Sequence, residues 1–245
     1  MPDDAATQRA KSAIASIRPL TDRLEELVHG LDNKATGAPC ELPGWSRAHL
    51  ITHLARNADA MLNLLTWART GVEHQAYASN ADRDADIEKG SQRVVTALRE
   101  DLKAAAERLD DALAGFPESS WDAEVADRQG RTILAHQIPW MRVTELVVHT
   151  VDLGAGATFE ETVGTIGAAG AEEVLNGVVA TYDGREVPSV VIAVTLPDGS
   201  SRNWQLGDRD PVELSGSAAA TIAWLTGRSD GACLDGKVPD LPNWR

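Results

Sequence analysis

The sequence predicts an α+β chain: a four-helix bundle over residues 1–155, followed by a smaller α/β domain over residues 156–245. Three observations carry this expectation. Apolar residues recur at steps of three and four through the first part, which is the spacing of one helix face. The run Gly154-Ala155-Gly156 then stops the last helical stretch. Beyond it, the β-branched run Val187–Leu196 leads into the turn Pro197-Asp198-Gly199-Ser200, the pattern of a strand pair. A chain of 245 residues also favours two domains over one, at roughly 100–200 residues per domain.

The first helix spans residues 5–31, with Ile14, Ile17, Leu20, Leu24, Leu27, Val28 and Leu31 at helical steps. Pro19 lies inside it and is expected to kink or split it. Turns follow at Gly37-Ala38-Pro39 and Pro43-Gly44. Ser46 is a good N-cap, so the second helix is placed from there to Thr70. A polar connector, 71–86, leads to a third helix over 87–115, ended by Gly115-Phe116-Pro117. Trp121–Val125 and Thr132–Leu134 flank a polar turn and read as a small hairpin. The fourth helix runs from Ala135 to Leu153. Four helices of these lengths predict a bundle.

In the second part, a helix over 160–181 precedes the strand Val187–Leu196, and Arg202–Leu206 is the return strand. Pro211–Leu214 is a third strand. Ser215 or Ser217 caps a helix over 217–226, which Gly227 stops.

The composition excludes several functions. The formal net charge is −14, and it is not confined to a tail: residues 1–155 carry 17 basic and 24 acidic side chains, residues 156–245 carry 6 and 13. A sequence-independent nucleic-acid binder needs a basic footprint, and an anionic membrane surface repels such a chain. Two cysteines, Cys40 and Cys233, make neither a disulfide framework nor a four-thiolate zinc site, and they suit a reducing compartment. The start MPDDAATQRAK is acidic without an apolar core, so no signal peptide is expected, and no apolar run reaches the ~18–20 residues of a membrane span. The expectation is a soluble, cytoplasmic monomer. Nucleophile elbow, P-loop and dinucleotide fingerprint are all missing.

The residues left for chemistry are histidines and carboxylates. His49 and His53 stand four apart on the second helix, Glu145 and His149 four apart on the fourth. Such pairs lie about 6 Å apart along the axis, on one face. A bundle builds metal sites by combining such pairs from facing helices. Glu145 sits in an otherwise apolar stretch, where an ionised carboxylate needs compensation. A metal supplies it; so does an arginine such as Arg142, or exposure to solvent. Either His49 or His53 fits by spacing, and His53 is favoured because it follows the apolar stripe through Leu50, Leu54 and Asn57. His53, Glu145 and His149 with one open position have the layout of a catalytic zinc site, although such ligands also take iron, nickel or cobalt. Asp152, one turn beyond His149, is either a partner for its imidazole or a helix-end carboxylate. Arg228 is either a cation at the negative end of a helix dipole or a carboxylate-binding fork.

Three segments carry a resemblance: Pro43-Gly-Trp-Ser-Arg-Ala-His-Leu-Ile-Thr-His53, Trp67-Ala-Arg-Thr-Gly71, and Trp140-Met-Arg-Val-Thr-Glu-Leu-Val-Val-His-Thr-Val-Asp-Leu-Gly154. With Gln129-Gly-Arg-Thr132, Gly227-Arg-Ser-Asp-Gly231 and the terminal Pro-x-Leu-Pro-x-Trp, they resemble the mycothiol-dependent maleylpyruvate isomerases, within the wider DinB-like metal-dependent thiol enzymes. The resemblance implies a DinB-like bundle holding a divalent metal, with zinc expected, on His53, Glu145 and His149. It implies a C-terminal α/β domain whose Arg228 faces the metal and acts in catalysis. It implies mycothiol as thiol cofactor, a small dicarboxylate substrate, and a place in gentisate catabolism. Trp45, Arg83 and Arg131 stand in family-like segments and are the candidates for holding mycothiol.

Overall fold

In the structure, a computed structural model that describes residues 4–244, the first helix, α1, runs Asp4–His29. It buries Ala10, Ala13, Ile17, Leu20, Leu24 and Val28, one stripe at helical spacing. The helix continues through Pro19 instead of splitting there. Pro19 and Ala15 both face solvent, so the carbonyl that loses its i+4 donor is open to water. The first three residues of the acidic start lie outside the described residues.

A short helix α2 (Asn33–Gly37) leads to α3 (Arg47–Thr70). Ser46 caps α3 as its sequence suggests. Its hydroxyl accepts the His49 N–H, and the His49 ring returns a bond to the Ser46 N–H at 3.2 Å. Arg47 ties this end to the chain just past the last bundle helix, donating to the carbonyls of Leu153 at 2.8 Å and Gly154 at 2.9 Å.

The stretch expected as a connector and one long helix is instead two helices, α4 (Asn80–Ser91) and α5 (Val95–Ala114). Ser79 caps α4, and only Ile87 and Gly90 are buried on it, so apolar periodicity does not reveal it. The break serves docking. The Val95 N–H donates to Asn33 Oδ1 at 2.7 Å, which fixes the start of α5. A Cβ on Gly90 would lie 2.3 Å from Thr52 Cγ2, so the end of α4 touches α3 directly. Gly90→Ala should therefore overpack this contact and cost about 1–3 kcal/mol, read as a lower urea midpoint.

A two-strand hairpin, β1 (Glu124–Ala126) and β2 (Thr132–Leu134), precedes α6 (Ile138–Asp152). The α6 helix is buried on nearly every side, as expected of a helix that is apolar all round. It packs on α1 and α3, and α5 packs on both of those, giving the four-helix arrangement.

The chain divides into two units, Met1–Gly156 and Ala157–Arg245. The second begins with α7 (Phe159–Ala180), which is interrupted at Gly167 by a φ of 65° and ψ of −171°, a conformation open to glycine alone. A four-stranded sheet follows, from β3 (Val190–Thr195), β4 (Ser201–Leu206), β5 (Val212–Ser217) and the two-residue β6 (Asp235–Gly236), in the order β4-β3-β5-β6. The β3–β4 pair is antiparallel around the expected Pro197–Ser200 turn, and β3–β5 is parallel. Val190, Ile192 and Val194 turn inward at a period of two. Helix α8 (Ala218–Leu225) starts from Ser217, whose hydroxyl accepts the Ala220 N–H, and it packs on α7, β3 and β5. The α+β class expected from the sequence is the class observed.

Candidate metal centre

α3 and α6 lie side by side, and their contact brings His53 to Glu145. His53 Nε2 lies 3.0 Å from Glu145 Oε2, and His149 Nε2 lies 3.2 Å from the same oxygen. The ligand atoms of the three residues fall within 4.8 Å of one another, and all three side chains are buried. The two imidazoles meet edge to face, with ring centroids 4.9 Å apart.

His49 is placed elsewhere. One ring nitrogen serves the α3 cap, and the other lies 3.2 Å from the exposed Glu88 carboxylate. The choice that sequence spacing leaves open is thus resolved in space: it is His53 that stands beside Glu145. Asp152 is also positioned. Its Oδ2 lies 2.7 Å from His149 Nδ1, which leaves His149 Nε2 aimed at Glu145.

The electrostatics follow from burial and from these contacts. Burial pushes the His53 imidazole down to about 4 against the opposing pull of Glu145, so it is neutral at physiological pH. Burial also disfavours charge on His149, but the bonds to Asp152 and Glu145 outweigh it and raise that ring. Two neutral-capable imidazole nitrogens and a carboxylate oxygen converge on one small volume. This donor set fits a divalent metal of the zinc type, with one position left open.

The signs give a pH prediction for the metal-free chain. Between pH 6.5 and about 4, folded His53 binds fewer protons than unfolded His53, so stability falls as the pH drops through that window. The contribution of His149 is complete below 6.5 and is lost as the pH rises through its raised value. The sum of these two histidine contributions is greatest near pH 6.5 in the chelator-treated protein. Urea midpoints from pH 4 to 9 test this; a steady rise across the whole range would contradict it.

The family described as the mycothiol maleylpyruvate isomerase N-terminal domain matches residues 17–154, which include all three of these residues. The chain belongs to this family. Two solved structures extend the likeness to both units. A crystal structure of a mycothiol-dependent maleylpyruvate isomerase is 32% identical, with a TM-score of 0.81, covering 96% of this chain and 97% of that one. A histidine-to-alanine mutant of such an isomerase has the same identity and coverage, with a TM-score of 0.80. No curated protein matches the chain. No helix among the described residues is long and apolar enough to cross a membrane.

The other candidates in this isomerase-family chain fall in different places. Trp45 packs edge-on to the His53 ring at 5.6 Å and stacks on His49 at 6.2 Å. Arg83, carried by α4, brings Nη2 to 3.4 Å from His53 Nδ1 and lies 5.9 Å from the centre of the Tyr77 ring. Arg131 is not brought to the cluster by its described bonds. It sits beyond the hairpin turn, with its guanidinium on Asp127 at 2.7 and 2.8 Å. Arg228 belongs to the second unit. Its backbone N–H donates to the Ala223 carbonyl, its side chain donates to the Thr226 carbonyl, and it covers the Trp244 ring at 5.5 Å. Cys40 and Cys233 are both free thiols.

Sequence reasoning passed over Tyr77. It is half-buried, and burial together with the Glu145 charge raises its phenol, so it stays protonated and neutral. The available signal was an aromatic residue inside an otherwise polar connector, one of only two tyrosines in the chain.

Proposed function

We propose that this chain is a mycothiol-dependent cis–trans isomerase that converts maleylpyruvate to fumarylpyruvate, a step in gentisate catabolism. The observation that carries the reading is the buried His53–Glu145–His149 cluster in a chain of this family. We assign those residues as the ligands of a divalent metal, with zinc favoured by the two nitrogens and one carboxylate. A bound metal of this kind supplies a Lewis acid that holds a thiol as thiolate.

The protein's part is to place groups around that chemistry. Asp152 fixes the His149 tautomer, and Trp45 shields one edge of His53 from water. Arg228 is assigned to hold negative charge on the pyruvyl oxygens of the substrate. Mycothiol, when bound, would supply a thiolate able to add reversibly to the cis double bond, which would let that bond turn to trans with no atom gained or lost. Trp45 and Arg83 are assigned to mycothiol on their nearness to His53. Arg131, held by Asp127, serves there only if that pair opens.

Residues 1–155 are the metal-binding domain in this reading, and residues 156–245 supply Arg228. The protein is a cytoplasmic monomer whose partners are mycothiol and a small dicarboxylate. Incubating the metal-loaded protein with maleylpyruvate, with and without mycothiol, tests the assignment. Fumarylpyruvate should form only when mycothiol is present. No conversion with metal and thiol both present overturns the substrate assignment and points to transfer of the thiol to another electrophile on the same scaffold.

A further inference from the structure

Arg142 is 1% exposed, among the largest fully buried side chains, and a charged group in such a place needs a reason. It stands one turn before Glu145 on α6, so the two share a face. Its Nη1 donates to the Leu54 carbonyl and to Asn57 Oδ1, both at 2.8 Å, and these residues follow His53 on α3. Its Nε and Nη2 have no hydrogen-bond partner among the described residues. The anionic or acidic groups that act on it are, in order, Glu145, the Tyr77 phenol, Asp110 and Asp59. Asp110 is engaged by Arg18, and Asp59 by Arg56 and Arg108. Glu145 is the one of these that belongs to the His53–Glu145–His149 cluster, and Arg142 acts on it at a distance, with no hydrogen bond from its open nitrogens.

The charge count around the cluster gives this cation a use. Glu145 and the Asp152 that holds His149 bring two negative charges into a buried volume. Arg83, beside His53, is balanced by Asp84 at 2.7 Å; a divalent cation cancels the two buried carboxylates, and an anionic ligand in the open position would then leave the centre negative. Arg142 restores neutrality. We propose that Arg142 is an electrostatic positioning residue, whose fixed buried charge makes the metal-loaded centre select an anion, of the thiolate class, for its open position. This rests on the metal assignment above, so the test begins with metal content.

Cobalt-substituted wild type, R142K, R142M and R142Q are first assayed for metal per chain. Azide, a permanent anion whose binding needs no proton loss, is then titrated against the visible cobalt bands, with neutral imidazole as the comparison ligand. R142M and R142Q should bind azide at least about tenfold more weakly than wild type, R142K should stay within about threefold, and imidazole should bind all four alike. A wild type that holds no cobalt overturns the metal assignment and this proposal with it. Full cobalt with unchanged azide affinity in R142M and R142Q overturns this proposal alone. Parallel weakening of azide and imidazole would make Arg142 a mere brace between α3 and α6, and also overturns it. If R142K folds while neither neutral variant does, the fold and not the centre needs the charge, and the proposal falls.

Discussion

His53→Ala and Glu145→Gln should each lower divalent-metal affinity by more than about 100-fold. Losing a residue that only orients a ligand costs about 10–100-fold, and these two are assigned as ligands themselves. Glu145→Gln is the sharper variant, because it keeps the volume and removes the charge. Glu145 Oε2 is approached by both imidazoles, at 3.0 and 3.2 Å, so the carboxylate links α3 to α6. His49→Ala is the control. It should keep its metal and lose the return bond of the α3 capping box with the Glu88 and Trp45 contacts of the ring, at a cost of about 1 kcal/mol. Metal per chain after dialysis against a weak chelator separates the cases. Equal metal in wild type and Glu145→Gln would remove Glu145 from the ligand set.

Much of this centre is legible in the sequence because it depends on helical spacing. Glu145 and His149 share a face of α6 by their separation of four, and Asp152 follows on the next turn. The pairing across helices is not fixed by spacing. His49 and His53 both fit by spacing; the apolar stripe through Leu50, Leu54 and Asn57 favours His53, and the Ser46 cap and the Glu88 contact place His49 elsewhere. A capping role for histidine is uncommon beside serine, aspartate or glutamate, so no residue pattern announces it.

The α4 helix was hidden for a different reason. It buries only Ile87 and Gly90, and its signal is the Ser79 cap instead of an apolar stripe. Missing α4 also obscures why Arg83 reaches His53 and why Tyr77 lies near Glu145. Pro19 errs in the opposite direction: a strong local breaker is absorbed because its turn faces water. Arg131 shows the limit of motif likeness. It stands in a family-like segment, yet Asp127, buried in the hairpin turn, already holds its guanidinium and also accepts the N–H groups of Gln129 and Arg131.

Arg228→Ala should lower isomerase turnover by about 10²–10³-fold, the usual cost of removing one preorganised donor to a developing oxyanion. Metal content should stay at the wild-type level, since Arg228 lies in the second unit and the three assigned ligands in the first. Some stability will be lost as well. The side chain donates to the Thr226 carbonyl at the end of α8 and covers Trp244, contacts that together contribute about 1 kcal/mol. That structural loss cannot by itself produce the kinetic one, because a stability change of this size leaves a folded chain folded at assay temperature. Arg228→Lys separates the two roles. It keeps a cation near the helix end and forfeits the planar fork, so it should recover most of the stability and little of the turnover. Wild-type turnover by folded, metal-loaded Arg228→Ala would reduce Arg228 to a helix-end cation and leave the substrate charge to another group.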